Sequence, residues 1–351
     1  GFSPLNKERC VYIKTVNDIK TIIVVYVDDL LIFSSCPNAI EEVKRQLKQK
    51  KLKYRESKTI ERFLGVKFER SDDLSYFTLS QEDYINELVE IHGLTNAKPQ
   101  HKLPPLDTIN LNPEAEDEVN NSLPVRNIVG ALLYIANTTR PDIAAATSYL
   151  SRHLNHPTHK LLRYCKQVLN YLKTTKERKL YLGNLDETSL VAYADANFAP
   201  SGDRKSQSGG LVKLSGSPIV WISRKQDTVS QSTTEAEYIA LAVVCNEVLW
   251  LQELLGELAV PIVYPTIIYE DNQPTIAVCK NQKNAKVTKH VDIKFHMLED
   301  TILKGRINIV YMETGRQLAD AMTKVRSTVQ DITHLLGSPP SSQTVQNQGE
   351  C

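Results

Sequence analysis

The sequence predicts a multidomain chain of α/β and α+β character, on three observations. Its 351 residues, 41% of them hydrophobic, exceed the usual size of one domain and can bury more than one core. The first 35 residues alternate apolar and polar like β-strands, and helical spacing takes over from about Asn38. From Ser189 three strand-like stretches precede a long amphipathic helix, and the remaining elements complete the order βββαβααβα, the pattern of a mixed five-stranded sheet with flanking helices.

Element by element, Val11–Phe33 reads as a β-hairpin whose tip carries Asp28 and Asp29. A helix follows from Asn38 to about Lys53, with Ile40, Val43 and Leu47 on one face. Segment 41–58 holds eight Lys/Arg against three Glu, so Lys44, Lys48, Lys51 and Lys53 form either a solvated helix face or a patch that tracks a phosphate backbone. Strands are expected over 62–70 and 75–79, with a helix from Gln81 to Ile91. The Pro- and Asn-rich stretch 98–124 reads as a linker. Helices are expected over Val125–Ala136, after Thr139-Arg140-Pro141-Asp142, and over Pro157–Lys173. Strands at Leu190–Ala194, Gly209–Leu214 and Pro218–Trp221 should form a meander before a helix from about Thr234 to Leu258. A strand at Thr266–Tyr269, helices at Pro274–Lys280 and Val291–Leu303, a strand at Ile307–Tyr311 and a last helix complete the order. The domain boundaries this suggests are 1–97, 98–185, 186–325 and a disordered tail over 326–351.

Composition narrows the chemistry. A formal net charge of +1 excludes an overall basic protein, so polyanion binding must come from local patches. The six cysteines form no C-x-x-C pair, which excludes a sequence-evident zinc finger and suggests reduced thiols in an intracellular protein. No uninterrupted apolar run reaches the roughly 18 residues of a membrane span, and no signal peptide opens the chain, so a soluble protein without membrane contact is expected. The start at Gly1, in what reads as mid-domain sequence, suggests a piece of something longer.

Four acidic motifs punctuate the second half: Tyr193-Ala194-Asp195-Ala196, Ser232–Tyr238, Tyr269-Glu270-Asp271-Asn272 and Leu318-Ala319-Asp320. Short carboxylates at strand ends and helix starts can converge on hard cations that take oxygen ligands and polarise a phosphate. Each acid also has a structural explanation. Asp195 could end a strand, Glu235 and Glu237 stand at capping-box spacing from Ser232 and Thr234, Asp271 could cap a helix, and Asp320 could be an exposed helix residue. Jointly, four acids in this element order are hard to obtain by accident and point to a ribonuclease H-like fold.

These motifs, with Asp203–Gly209, Thr288-Lys289-His290-Val291-Asp292 and Gln317–Lys324, resemble in order the ribonuclease H domain of copia-type LTR retrotransposon Pol polyproteins. Upstream, Tyr26-Val27-Asp28-Asp29, Phe63-Leu64-Gly65, Thr139–Ile143 and Tyr171-Leu172-Lys173 resemble the reverse transcriptase palm and thumb and the connection of the same polyprotein. The resemblance implies cleavage of RNA in RNA–DNA hybrids, with Asp195, Glu237, Asp271 and Asp320 holding two Mg²⁺ ions, Mn²⁺ being the alternative ion. Glu237 is preferred to Glu235 because Ala236-Glu237-Tyr238 matches the family's helical acid. His290 is implied as a nucleic-acid contact. The loop 311–317 lacks the histidine of other ribonucleases H. Asp28 and Asp29 resemble the paired metal-binding aspartates of the polymerase palm, but the third palm aspartate and the basic fingers residues do not occur in this sequence. Implied partners are the hybrid, template RNA, nascent DNA and the rest of Pol. The implied location is the cytoplasm, in virus-like particles where the element is active, or the nucleus. A noncatalytic nucleic-acid-binding product of a decayed or domesticated element is the alternative.

Overall fold

The computed structural model describes residues 1–57, 59–114, 118–183, 188–200, 203–280, 289–325 and 335–337, with backbone alone over 289–295. It divides into two compact units, one of Gly1–Glu61 with Glu247–Ile262 and one of Arg62–Asn246 with Val263–Cys351. His290 and most of the expected tail therefore fall outside the residues whose side chains are described.

In the first unit, β1 (Ser3–Pro4), β2 (Val11–Val16), β3 (Ile19–Tyr26) and β4 (Asp29–Ser34) form an antiparallel sheet in that order. α1 (Pro37–Gln49) follows, its Pro in the first turn, where a missing N–H costs nothing, and its Val43 buried. The β3–β4 register pairs Tyr26 with Asp29, so Val27 and Asp28 make the two-residue tip of the expected hairpin. Val27 adopts φ 54°, which a β-branched side chain disfavours, and is 86% exposed.

The second unit begins with β5 (Arg62–Phe63), β6 (Val66–Arg70), β7 (Tyr76–Ser80) and α2 (Glu82–Ile91). Then come α3 (Val125–Thr138), α4 (Ala144–Ser151), α5 (His159–Thr174) and β8 (Leu180–Gly183), which returns to pair antiparallel with β7. α2, α3, α4 and α5 enclose a core that includes Ile85, Ile128, Leu132, Ile135, Leu150 and Leu169. Thr158 caps α5 by accepting a hydrogen bond from Leu161 N at 3.1 Å. The stretch read as a linker is anchored, because Leu103, Leu106 and Leu111 are buried in that core. Arg140-Pro141-Asp142 opens a 3₁₀ turn ahead of α4, and it carries a buried network. The Arg140 guanidinium donates to both Asp142 oxygens, at 2.8 and 2.7 Å, and Tyr171 Oη donates to Asp142 at 2.8 Å.

The last layer holds β9 (Leu190–Asn197), β10 (Gln207–Leu214), β11 (Ser217–Lys225), α6 (Thr233–Glu257), β12 (Thr266–Glu270), α7 (Gln273–Lys280), α8 (Lys289–Leu303), β13 (Ile307–Tyr311) and α9 (Asp320–Thr323). The sheet is the mixed five-stranded one expected, in the order β11-β10-β9-β12-β13. The β9–β10–β11 meander is antiparallel, whereas β12 and β13 join it in parallel. Adjacent glycines in β10 let helices close from both sides, since neighbouring residues of a strand face opposite ways. A Cβ at Gly209 would lie 2.6 Å from Thr323 Cγ2 of α9, and one at Gly210 would lie 2.5 Å from Val244 Cγ2 of α6. Although the sequence has no uninterrupted apolar span, α6 is long and apolar enough to cross a membrane by length and composition alone, and 56% of its most apolar window is buried in the fold. Beyond residue 325 the structure describes 335–337, where Leu335 and Leu336 are buried, Leu336 beside Val66, Leu79 and Leu180 and Leu335 beside Leu211 and Met322.

Candidate metal centre

Three of the four acids implied for the second unit converge. Asp195 lies near the end of β9, Glu237 in the first turns of α6 and Asp271 directly after β12, and one carboxylate oxygen from each lies within 4.8 Å of the others. Asp195 and Glu237 are buried and Asp271 half-buried. The register explains the first contact: Tyr193 pairs with Tyr269 in the parallel β9–β12 ladder, so the acids two residues further on emerge side by side. Gly209 stands opposite Asp195 in the β10 register, which leaves room there for α9.

Local hydrogen bonds hold each carrier in place. Ser232 Oγ accepts from Glu235 N at 3.1 Å while the Glu235 carboxylate accepts from Gln231 N at 2.8 Å, so Glu235 serves the start of α6. Gln226 donates to Ser208 Oγ and to the Ala236 carbonyl at 3.0 and 2.8 Å, which fastens the turn that bears Glu237 to β10. Asn272 Oδ1 accepts from Thr275 N at 2.9 Å and caps α7, leaving Asp271 to face the site. Gln317, buried, donates to Ala194 O and Tyr269 O at 2.9 and 3.3 Å, and so pins the approach to α9 across both acid-bearing strands. Gln317 and the Gly209-Gly210 pair are positioning features the sequence reading missed. An amide beside Leu318-Ala319-Asp320 and two glycines within a strand were the available signals.

Asp320 is placed differently. It opens α9, and its Oδ1 accepts from Lys324 Nζ at 2.5 Å, an i,i+4 pair. It remains close enough to raise the Asp195 carboxyl, but it is not one of the three clustered acids. Thr323 Oγ1 donates to Asp195 Oδ2 at 2.5 Å.

Electrostatics set the trio apart. Burial, reinforced by Asp320 and Asp271, pushes the Asp195 carboxyl up to about 6 against the opposing Thr323 hydrogen bond. Burial, then Glu270, Asp195 and Asp271, push Glu237 up to about 10. Glu237 Oε2 has no hydrogen-bond partner, although the Ala196 backbone supports the carboxylate. Buried carboxylates crowded in this way are relieved by a cation that accepts oxygen ligands, so the residues present fit a hard divalent ion.

The pair in the first unit has no such setting. Asp28 and Asp29 are exposed, and among the described residues the clusters of three or more acid, His or Cys groups at metal-binding separation do not include them. Lys44 is committed to Glu41, at 2.6 Å, and to Glu56, and these partners raise its ammonium. Lys48, Lys51 and Lys53 are exposed. His296 is exposed with Nδ1 3.7 Å from Glu299.

A reverse transcriptase (RNA-dependent DNA polymerase) family model matches residues 1–106. The Pol polyprotein of transposon RE1 from Arabidopsis thaliana is 33% identical over 323 residues, which are 90% of this chain and 22% of that protein. A putative transposon Ty5-1 protein of Saccharomyces cerevisiae is 32% identical over 71% of this chain and 80% of its own length. Among solved structures, LC11-RNase H1, isolated from compost, aligns with 38% of this chain and 92% of its own at 14% identity and a TM-score of 0.30. The family match over the first part of the chain and these relatives place it among retrotransposon Pol sequences. The chain belongs to the copia-type retrotransposon Pol family. It spans under a quarter of the length of the Pol polyprotein from transposon RE1.

Proposed function

We propose that the second unit is a metal-dependent ribonuclease H that cuts the RNA strand of RNA–DNA hybrids. The observation that carries this reading is the convergence of Asp195, Glu237 and Asp271 within 4.8 Å, at the ends of two parallel strands and the start of a core helix. These three would hold two Mg²⁺ or Mn²⁺ ions, with Asp320 approaching from the α9 side. Bound there, the metal supplies an activated water and stabilisation of the leaving 3′ oxygen. The chain's own part is to keep the acids dry and aimed: α6 and α9 close over opposite faces of β10, Thr323 orients Asp195, and Lys324 holds Asp320 until a cation competes for it. Selectivity for hybrids would come from 2′-hydroxyl contacts on one strand and backbone shape on the other. Partners are then the hybrid, with its template RNA and nascent DNA, and the rest of Pol, in cytoplasmic particles or the nucleus.

A labelled hybrid incubated with the full chain should be cut with Mg²⁺ and spared with chelator, and Asp271→Asn should reduce the rate by on the order of a hundredfold. Uncut hybrid at saturating Mg²⁺, with a folded protein, would leave the noncatalytic binding reading in its place.

For the first unit, the same logic predicts no primer extension by this chain. Asp28 and Asp29 stand exposed at a hairpin tip, and two-metal phosphoryl transfer needs a ligand set that fixes both ions and clamps the triphosphate. Incorporation that vanishes in an Asp28→Asn, Asp29→Asn double variant would overturn this.

A further inference from the structure

α5 carries a basic stripe that the metal centre does not use. His159, Arg163 and Lys166 recur at i, i+4 and i+7, so they share one face of the helix, with Asn170 a turn further on. That face lines a cavity of about 360 Å³, whose walls also include Gln100 and Gln167. None of the described residues that line it is acidic. Arg163 is exposed, its guanidinium 5.2 Å from the centre of the Tyr164 ring, and Lys166 is half-buried. Among the described residues neither joins an ion pair, whereas Lys160 on the same helix is committed to Glu114 at 3.1 Å.

The facing wall is fastened to α5 by side chains. Lys173 Nζ donates to the Leu94 and Ala97 carbonyls at 2.9 and 2.8 Å, Asn170 Nδ2 donates to the Lys98 carbonyl at 2.8 Å, and Thr174 Oγ1 accepts from Gln100 N at 2.8 Å. The cleft is thus shaped before any ligand arrives, and filling it orders little further chain. Seven helical residues rise about 10 Å, while one strand of a duplex carries a phosphate every ~3.4 Å of axis, so the stripe can follow roughly three phosphates. We propose that this cleft docks the sugar–phosphate backbone of a nucleic acid. Arg163 and Lys166 neutralise phosphates, and His159, Gln100 and Gln167 add hydrogen bonds that read no base. The inference stands apart from the metal-centre reading, because it requires no metal ion.

Binding of the full chain to a labelled RNA–DNA hybrid, followed by fluorescence anisotropy in chelator at several salt concentrations, tests the cleft without turnover. Arg163→Gln with Lys166→Gln should melt as the wild type does, bind on the order of tenfold more weakly at low salt, and show a salt dependence shallower by about one to two units of slope. Arg163→Lys with Lys166→Arg keeps both charges and should retain most of the affinity and the slope. Lys304→Gln, which removes a cation paired with Asp300 on α8, should change neither. Unchanged affinity and slope in the charge-removing double variant would overturn the proposal, as would an equal loss in Lys304→Gln or in the charge-keeping variant. Displacement of the hybrid by inorganic phosphate at equal phosphate-group concentration and constant ionic strength would mark a site for the free ion and overturn the docking of a strand.

Discussion

The chain carries two acidic centres built by opposite means. Asp28 and Asp29 are neighbours in sequence and are delivered, exposed, by a single hairpin. Asp195, Glu237 and Asp271 are separated by dozens of residues and meet only because a parallel strand pair and a core helix place them together, largely out of solvent. In water, opposed or like charges interact weakly, whereas burial raises both the cost of leaving carboxylates bare and the gain on binding a cation. The second arrangement is therefore suited to a divalent cation, and the first is an exposed pair outside the acid clusters found among the described residues.

The comparison can be sharpened first through pH. Asp195 is held near 6 by burial, against an ordinary value of 3.8, so its folded form binds a proton more tightly than its unfolded form. The stability this contributes is complete below about pH 4 and is lost as pH rises through 6, about 3 kcal/mol in all. In metal-free buffer Asp195→Asn should therefore gain stability over the wild type as pH rises from 4 to 8, and saturating Mg²⁺ should reverse the ranking. Asp28→Asn, at the exposed hairpin tip, should leave the effect of Mg²⁺ on melting unchanged. Parallel melting curves for Asp195→Asn and wild type across that range would break the distinction.

A second test concerns how closely the helices must approach. Gly209→Val would drive side-chain atoms into Thr323 and the Ala319 carbonyl, which lie under 3 Å from an added Cβ. A loss of about 1–3 kcal/mol in denaturant unfolding is expected, with a larger relative loss of Mg²⁺-dependent cleavage because α9 bears on Asp195. Normal stability and activity would mean that α9 can withdraw without consequence.

The smallest effect is expected at Glu235. Its carboxylate caps α6 from outside the cluster, so Glu235→Ala should cost about 1 kcal/mol and leave cleavage unchanged. A large loss of activity with intact folding would move the helical acid from Glu237 to Glu235.

Much of this architecture was legible in the sequence, because strong local patterns decided it. The β9–β10–β11 meander and α6 follow from period-2 and helical patterning, and Ser232 and Glu235 marked the helix start. What stayed hidden depended on distant partners. The four residues of β8 are too short to announce a strand, and Leu79 pairs with Leu180 a hundred residues later. Leu103, Leu106 and Leu111 sit in Pro- and Asn-rich surroundings that read as linker, yet the helical core buries them. Glu270 belongs to a motif read from the sequence, but only the phase of β12 shows that it shares the buried side with Ile268. The ion pair of Asp320 with Lys324 follows helical i,i+4 spacing, whereas its nearness to Asp195 depends on how α9 packs on β9 and β10.

The most direct test of the central claim compares three proteins on one labelled RNA–DNA hybrid with Mg²⁺: wild type, Asp195→Asn, and the Asp28→Asn, Asp29→Asn double variant. The account predicts equal cutting by the wild type and the double variant, with cutting by Asp195→Asn lower by on the order of a hundredfold or more while its fold persists. Undiminished cutting by a folded Asp195→Asn protein would contradict it.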